Sequence, residues 1–125
     1  MRNVFVAALL TVFLTACASM GGAPMAAKFE NGMLVNPAGM TLYTFAKDVA
    51  GSGKSACNGV CAENWPPLRV SGSEQASGDW SVITRDDGTQ QWAYKGKPLY
   101  LFIKDHKPGD KTGDGFKNVW HVARQ

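Results

Sequence analysis

The chain of 125 residues has little of what catalysis and nucleic-acid binding usually require. It carries two histidines, three cysteines and a net charge of only +3, with 13 Lys and Arg against 10 Asp and Glu. Because this excess is small and no run of basic residues occurs, we expect no nucleic-acid partner. Neither His106 nor His121 has a Ser, Cys or carboxylate companion at motif spacing. No catalytic triad is therefore predicted, and a hydrolase is the least favoured function.

Long apolar runs are also scarce, and the single one lies near the beginning of the chain. Residues 4–14 are almost unbroken in their hydrophobicity and follow the positive charge of Arg2. A run of this length is too short to span a bilayer and is typical of the central region of a secretory signal. No second such run follows Leu14, so we expect no other membrane-spanning segment.

The residues Leu14-Thr15-Ala16-Cys17 end this run and resemble the lipobox of bacterial lipoproteins. In that family the cysteine is acylated and becomes the first residue of the mature chain. The resemblance implies a signal peptide over residues 1–16 and an anchor of palmitate-type acyl chains on Cys17. Ala18, rather than Asp, follows the cysteine, which favours the outer membrane in a cell that has one. The alternative is an ordinary secretory signal, cleaved near Cys17 without acylation.

The stretch after the cysteine differs in composition from the rest of the chain. Residues 18–27 read ASMGGAPMAA and lack charge, β-branched side chains and any sustained period. This composition predicts a flexible tether over residues 17–27. Residues 28–125 are then expected to form one domain with a single modest core.

The domain carries the sequence signals of strands and turns. Asn31-Gly32 lies between apolar segments, and Asp86-Asp87-Gly88 separates two runs of β-forming residues, so each predicts a hairpin. The apolar residues 99–103 predict a strand that is covered on both faces. Residues 56–65 are the only helical candidate, and Pro66-Pro67 ends it. The sequence thus predicts a mainly β domain with one short helix near a cysteine pair.

The β segments form two internal repeats. Residues 34–48 match residues 91–105 at a constant offset of 57 positions, sharing a turn glycine, a Leu-Tyr pair, a phenylalanine and a Lys-Asp pair. Each half continues through a loop to a tryptophan. Half-repeats of about 31–70 and 80–125 that each lack a full core are expected to pack together. We therefore expect antiparallel strands of both pseudo-repeats to form one sandwich-like or barrel-like domain.

Both repeats contain the pattern Tyr-x-aromatic-x-x-Asp. Its members are Tyr43, Phe45 and Asp48 in the first repeat and Tyr100, Phe102 and Asp105 in the second. Together with the lipobox, this pattern resembles the secreted-repeat family of bacterial lipoproteins that is named for it, over nearly the whole domain. The resemblance implies a lipoprotein whose activity is not established.

Two interpretations of the motif are open. Residues two apart on a strand point to the same face, so the Tyr and the aromatic residue would form ring pairs in the core. The Asp would then bind turn amides at the strand end. Alternatively, two Tyr hydroxyls and two carboxylates would line a symmetric ligand groove. The structural interpretation is favoured because aromatic residues on strands mostly belong to cores.

Cys57 and Cys61 form the even pair that remains once Cys17 is acylated. In an oxidising compartment such a pair is expected to close a structural disulfide, for which the i, i+4 separation on a helix is permitted. The alternative is a periplasmic redox or copper-handling protein associated with electron transfer, with His106 or His121 as a third ligand. Against it, the α/β alternation of thioredoxin-like copper proteins is absent.

An acidic, glycine-rich loop follows the second motif. It contains Asp105, Asp110 and Asp114 but does not match the EF-hand pattern, and nearby lysines offset its charge. Turn chemistry is therefore favoured over calcium binding.

The resulting expectation is a non-enzymatic envelope lipoprotein that acts as a binding or structural module on the periplasmic side of the outer membrane. No catalytic residue, metal or cofactor is predicted. The expected partners are the membrane, through the acyl chains of Cys17, and an unidentified periplasmic or cell-surface protein.

Overall fold

The computed structural model describes residues 23–72 and 74–125. The predicted signal peptide, Cys17 and the first part of the predicted tether lie outside the described residues. In the part of the chain that is described, no helix has the length and apolar character needed to cross a membrane.

Short antiparallel strands dominate the fold. The strands are β1 (Lys28–Glu30), β2 (Met33–Val35), β3 (Tyr43–Phe45), β4 (Trp80–Thr84), β5 (Gln90–Tyr94), β6 (Lys97–Pro98) and β7 (Trp120–Val122). One α-helix, α1 (Val60–Asn64), and one 3₁₀ helix (Phe116–Asn118) complete the elements. The prediction of a mainly β fold with one short helix near the cysteine pair is confirmed.

The strands form three small antiparallel sheets, β1–β2, β3–β7 and β4–β5–β6. The Asn31-Gly32 turn joins β1 to β2, and both of its residues have positive φ, at 50° and 75°. The Asp86-Asp87-Gly88 turn joins β4 to β5, where Trp80 pairs with Tyr94. These strand pairings confirm both predicted hairpins. Each turn sequence suits the twist of its flanking strands. Pairing of β3 with β7 joins the first repeat to the second.

The prediction of a regular strand over residues 99–103 is wrong. The Leu99 amide donates to Trp92, the Tyr100 amide to Tyr43 and the Leu101 amide to Pro66, so three different segments share this stretch. Ile103 is 49% exposed rather than covered. The continuous apolar character has another cause: Leu99 and Phe102 belong to two separate core clusters.

Two hydrophobic clusters are each built from both repeats. Leu42 and Leu99 lie in the first cluster together with Trp92, while Tyr43 and Tyr100 lie in the second. Because successive residues of an extended chain point to opposite faces, each Leu-Tyr pair contributes one side chain to each cluster. Each hydrophobic cluster therefore requires residues of both repeats.

Candidate functional site

The motif side chains of one repeat bind those of the other. The Tyr43 hydroxyl donates to Oδ2 of Asp105 at 2.6 Å, and the Tyr100 hydroxyl donates to Oδ2 of Asp48 at 2.5 Å. These two contacts are termed the Tyr–Asp pairs. Both tyrosine side chains are fully buried. Each tyrosine thus binds the carboxylate of the opposite repeat.

The second oxygen of each motif carboxylate binds the loop that follows it in its own repeat. Oδ1 of Asp48 accepts a hydrogen bond from the Ala56 amide at 2.6 Å, and Oδ1 of Asp105 accepts one from the Thr112 amide at 3.0 Å. These amides lie eight and seven residues beyond the aspartates. The carboxylates therefore close long loops as well as binding the opposite tyrosine, which extends the predicted turn-binding role.

In each Tyr–Asp pair, a neutral phenol donates a hydrogen bond to a carboxylate. Burial raises the pKa of both tyrosine hydroxyls, and the hydrogen bond to the opposite aspartate raises the pKa further. Burial also raises the pKa of Asp48, and this effect outweighs the hydrogen bonds from Tyr100 and Ala56. Because the hydroxyls stay protonated at neutral pH, they hold the two repeats together and are poorly suited to act as nucleophiles or bases.

The phenylalanines of the motif and the tryptophan that follows each motif copy form a stack of four parallel rings. The stack runs Phe45, Trp120, Trp65, Phe102, with neighbouring ring centroids 4.2, 3.8 and 3.9 Å apart. The order is symmetric, since each repeat contributes one phenylalanine and one tryptophan. The motif tyrosines meet the tryptophans of this stack edge to face, a geometry that adds to the hydrophobic gain of burial.

The predicted disulfide is confirmed. Cys57 and Cys61 are joined by an S–S bond of 2.05 Å with their Cα atoms 5.2 Å apart. Cys57 is fully buried and Cys61 is half-buried at the first turn of α1. Both cysteines pack in or against the cluster that contains the ring stack. The disulfide therefore links the loop after the first motif to the aromatic core.

A buried arginine extends this network, and the sequence reasoning missed it. Arg85 is only 4% exposed, and its Nη1 donates to Ser55 Oγ at 2.9 Å and to Gln91 Oε1 at 2.8 Å. Its Nη2 donates to the carbonyl of Cys57. Ser55 Oγ also lies 2.6 Å from the Tyr100 hydroxyl. The guanidinium therefore connects the disulfide loop to one of the Tyr–Asp pairs through neutral acceptors.

The histidines and the acidic loop lie at the surface or serve local turns. His106 and His121 are both exposed, and His121 alternates with buried neighbours on β7 as its position predicts. Asp110 accepts the His106 amide, which lowers the pKa of that carboxyl, and Asp114 accepts the Val122 amide. Across residues 23–72 and 74–125, no group of three or more His, Cys, Asp or Glu side chains is placed to hold a metal ion.

One surface groove lies directly against the ring stack and is termed the aromatic groove. Its volume is about 370 Å³, and its lining includes Cys61, Trp65, Phe102, Phe116 and Trp120 together with Lys104 and Lys117. Val60, at the beginning of α1, also lines it and is 71% exposed. The groove thus combines an aromatic floor with two cationic side chains.

These features define a class of protein: a mainly β module of two repeats in which each repeat completes the hydrogen bonds and ring contacts of the other. A sequence model of the family described as a secreted repeat of unknown function matches residues 25–69 and 81–124. The chain belongs to this family, and the two matched segments are its two repeats. A secreted-repeat family indicates an extracellular or envelope location. Comparison with curated proteins gives no match, and comparison with solved structures gives none.

Proposed function

We propose that this chain is a lipid-anchored envelope protein that acts as a non-enzymatic binding or structural module on the periplasmic side of the outer membrane. Its anchor is the set of acyl chains on Cys17. Its partner is a periplasmic or cell-surface protein that docks on the folded domain.

The Tyr–Asp pairs are the observation that carries this proposal. The groups of the motif that look most capable of chemistry are two phenols and two carboxylates, and each phenol donates to a carboxylate. The remaining carboxylate oxygens accept loop amides. Because the polar atoms of the motif are all hydrogen-bonded inside the fold, the motif stabilises the fold. The binding function is then carried out by the exposed surfaces of the domain.

The aromatic groove is the surface best suited to a protein partner. Its floor contains Trp65, Trp120 and Phe102, and aromatic residues carry much of the binding energy at protein interfaces. Val60, which lines the groove, is an exposed apolar residue at 71% exposure. The disulfide holds the wall formed by α1, which lowers the conformational entropy that a partner would have to remove on binding.

The lipid anchor is supported by the sequence around Cys17. The apolar run, the spacing and the residue types agree with a lipobox, and the family is described as secreted. Acylation with several chains holds a protein firmly at a membrane, whereas a single chain binds only marginally. Ala18 favours sorting to the outer membrane.

The redox or copper-handling alternative has less support. Copper handling requires Cys57 and Cys61 as thiolates, because the thiolate is the form that binds soft metals. The two sulfurs instead share a disulfide, and Cys57 has no exposed surface.

Native mass spectrometry of the full chain, purified from membranes without chelators, tests the anchor and the alternative together. We expect a mass that lacks residues 1–16, gains acyl chains and falls short of the reduced chain by two hydrogens. A retained copper or haem mass, or an unacylated chain, would contradict the proposal. Cys17→Ser should leave the outer-membrane fraction, and the matched variant Ala18→Asp should stay acylated but move to the inner membrane.

A further inference from the structure

A second groove is lined by basic rather than aromatic residues and is termed the basic groove. Its volume is about 530 Å³, and its lining includes Lys95, Lys97, His121 and Arg124 but no Asp or Glu side chain. Gln125 also lines it. The side chains that line the groove therefore carry an excess of positive charge at neutral pH.

One β-hairpin, β5–β6, and one long-range strand pair, β3–β7, hold the lining residues of the basic groove. Lys95 and Gly96 form the tight turn between β5 and β6 with φ of 49° and 79°, which is the turn type that matches strand twist. Tyr94 and Lys97 are cross-strand partners on either side of this turn. On the opposite wall, His121 pairs with Thr44 between β7 and β3. The cationic groups thus stand on fixed backbone rather than on a long loop.

Lys95, Lys97 and Arg124 have no acidic partner among the residues that the structure describes. In the described segments, the ion pair that forms is Lys28–Glu30, at 3.2 Å. No described carboxylate lies within ion-pairing distance of Lys95, Lys97 or Arg124. Like charges that share one groove repel each other. A bound anion would remove that repulsion and would accept hydrogen bonds from an arginine fork and two ammonium groups.

The basic groove also lies beside the point where the chain enters the domain. Arg124 forms a β-bridge with Met33, and the Gln125 amide donates to the Gly32 carbonyl at 2.9 Å. The first hairpin, which follows the tether, therefore adjoins one rim of the groove. A membrane-anchored tether would bring this rim near lipid headgroups.

We propose that the basic groove binds a phosphate group, with Lys95, Lys97 and Arg124 as its charged ligands and His121 as a further donor. A phosphate fits because it carries enough negative charge to meet several cations and presents acceptor oxygens in several directions. A phosphate ester of a lipid headgroup and free inorganic phosphate share this chemistry. Only the source of the phosphate rests on the proposed lipid anchor; binding in the groove does not.

The two histidines of the chain allow a direct test in the wild-type protein. The full chain, purified in an uncharged detergent, is titrated with inorganic phosphate and, separately, with glycerophosphoglycerol, the soluble headgroup of an anionic lipid. We expect saturable movement of the imidazole signals of His121 in proton NMR, while those of His106, outside the groove, stay in place. Movement of both histidines together, or of neither with either probe, would overturn the proposal.

Charge variants supply the second arm. Lys95→Gln combined with Lys97→Gln should weaken binding by about tenfold or more, because each charge-assisted hydrogen bond contributes more than a neutral one. Lys54→Gln combined with Lys111→Gln removes two exposed lysines that do not line the groove and should leave affinity unchanged. Equal weakening in both variants would show general charge attraction and contradict a built site.

The probes also separate the two sources. Tighter binding of glycerophosphoglycerol than of phosphate supports a headgroup, and the reverse order supports free phosphate. If mass spectrometry shows no acylation, the proposed anchor fails, yet the phosphate titration still reports on the groove.

Discussion

The backbone amides of Tyr43 and Tyr100 each donate to the carbonyl of the other residue, at 2.8 and 2.9 Å. This reciprocal bridge places the two motif tyrosines back to back at the junction of the repeats. From there each hydroxyl reaches the aspartate of the opposite repeat. A single repeat would leave its buried phenol and its carboxylate without these partners, so the two repeats must fold as one unit.

Replacement of Asp48 by Asn should destabilise the protein. Asp48 accepts from the Tyr100 hydroxyl and from the Ala56 amide through different oxygens, whereas an amide side chain offers only one acceptor oxygen. We expect Asp48→Asn to lower the free energy of unfolding by about 1–3 kcal/mol. Denaturant titration measures this loss, and Asp79→Asn, at an exposed carboxylate, is the control. An unchanged midpoint for Asp48→Asn would contradict this role.

Alkaline pH should weaken the fold through the motif tyrosines. Burial raises the pKa of Tyr43 and Tyr100 in the folded state above the ordinary value of about 10. The folded chain then binds more protons than the unfolded chain above that pH, so stability is complete below about pH 10 and falls as pH rises further. Denaturation at several pH values measures this slope. Tyr100→Phe should reduce the slope, and an unchanged slope would count against the prediction.

The turn glycines at equivalent positions of the two repeats should differ in their tolerance of a side chain. A Cβ on Gly96 would lie 2.6 Å from the Gly51 nitrogen, whereas one on Gly39 would lie 3.1 Å from the Pro108 side chain. Gly88 has a similar positive φ and no atom within 4 Å of such a Cβ, so it reports backbone strain alone.

We expect Gly88→Ala to cost about 1–2 kcal/mol from its left-handed backbone. Gly96→Ala should cost more, because the clash also disrupts the hydrogen bond from the Gly51 amide to Gly96. Thermal unfolding of the Gly39, Gly88 and Gly96 variants measures the order. Equal losses at Gly88 and Gly96 would mean that the repeats do not approach as closely as described.

Loss of the disulfide should have a modest global effect and a marked local one. The bond closes a loop of only a few residues, so its removal by Cys57→Ala and Cys61→Ala should lower the free energy of unfolding by about 2 kcal/mol.

Cys61 is half-buried and Cys57 fully buried, so an added thiol should attack the Cys61 sulfur first. Peptide mapping of the trapped mixed disulfide checks this order, and preferential labelling of Cys57 would contradict it.

Local chemistry allowed the hairpins and the disulfide to be predicted. Asn31-Gly32 requires positive φ at both turn residues, and the Cys57/Cys61 pair needs no partner beyond itself. The assignment of residues 99–103 failed for a non-local reason, since the three segments that share this stretch come from different parts of the chain.

The partners within the motif could not be read from the sequence. The spacing of Tyr43 and Asp48 suggests a relation within one repeat, but hydrogen bonding crosses between repeats and depends on how they pack. Arg85 was missed because it stands beside Asp86-Asp87 in a polar turn, where an arginine is usually solvated. Its burial depends on Ser55 and Gln91, and the first has no signal that links it to this turn.

Two double-mutant cycles measure directly whether each motif tyrosine is held by the aspartate of the opposite repeat. The first cycle combines Tyr43→Phe with Asp105→Asn, and the second combines Tyr43→Phe with Asp48→Asn. We expect a coupling energy of about 1 kcal/mol or more in the first cycle and near additivity in the second. Coupling between Tyr43 and Asp48, with none between Tyr43 and Asp105, would contradict this expectation.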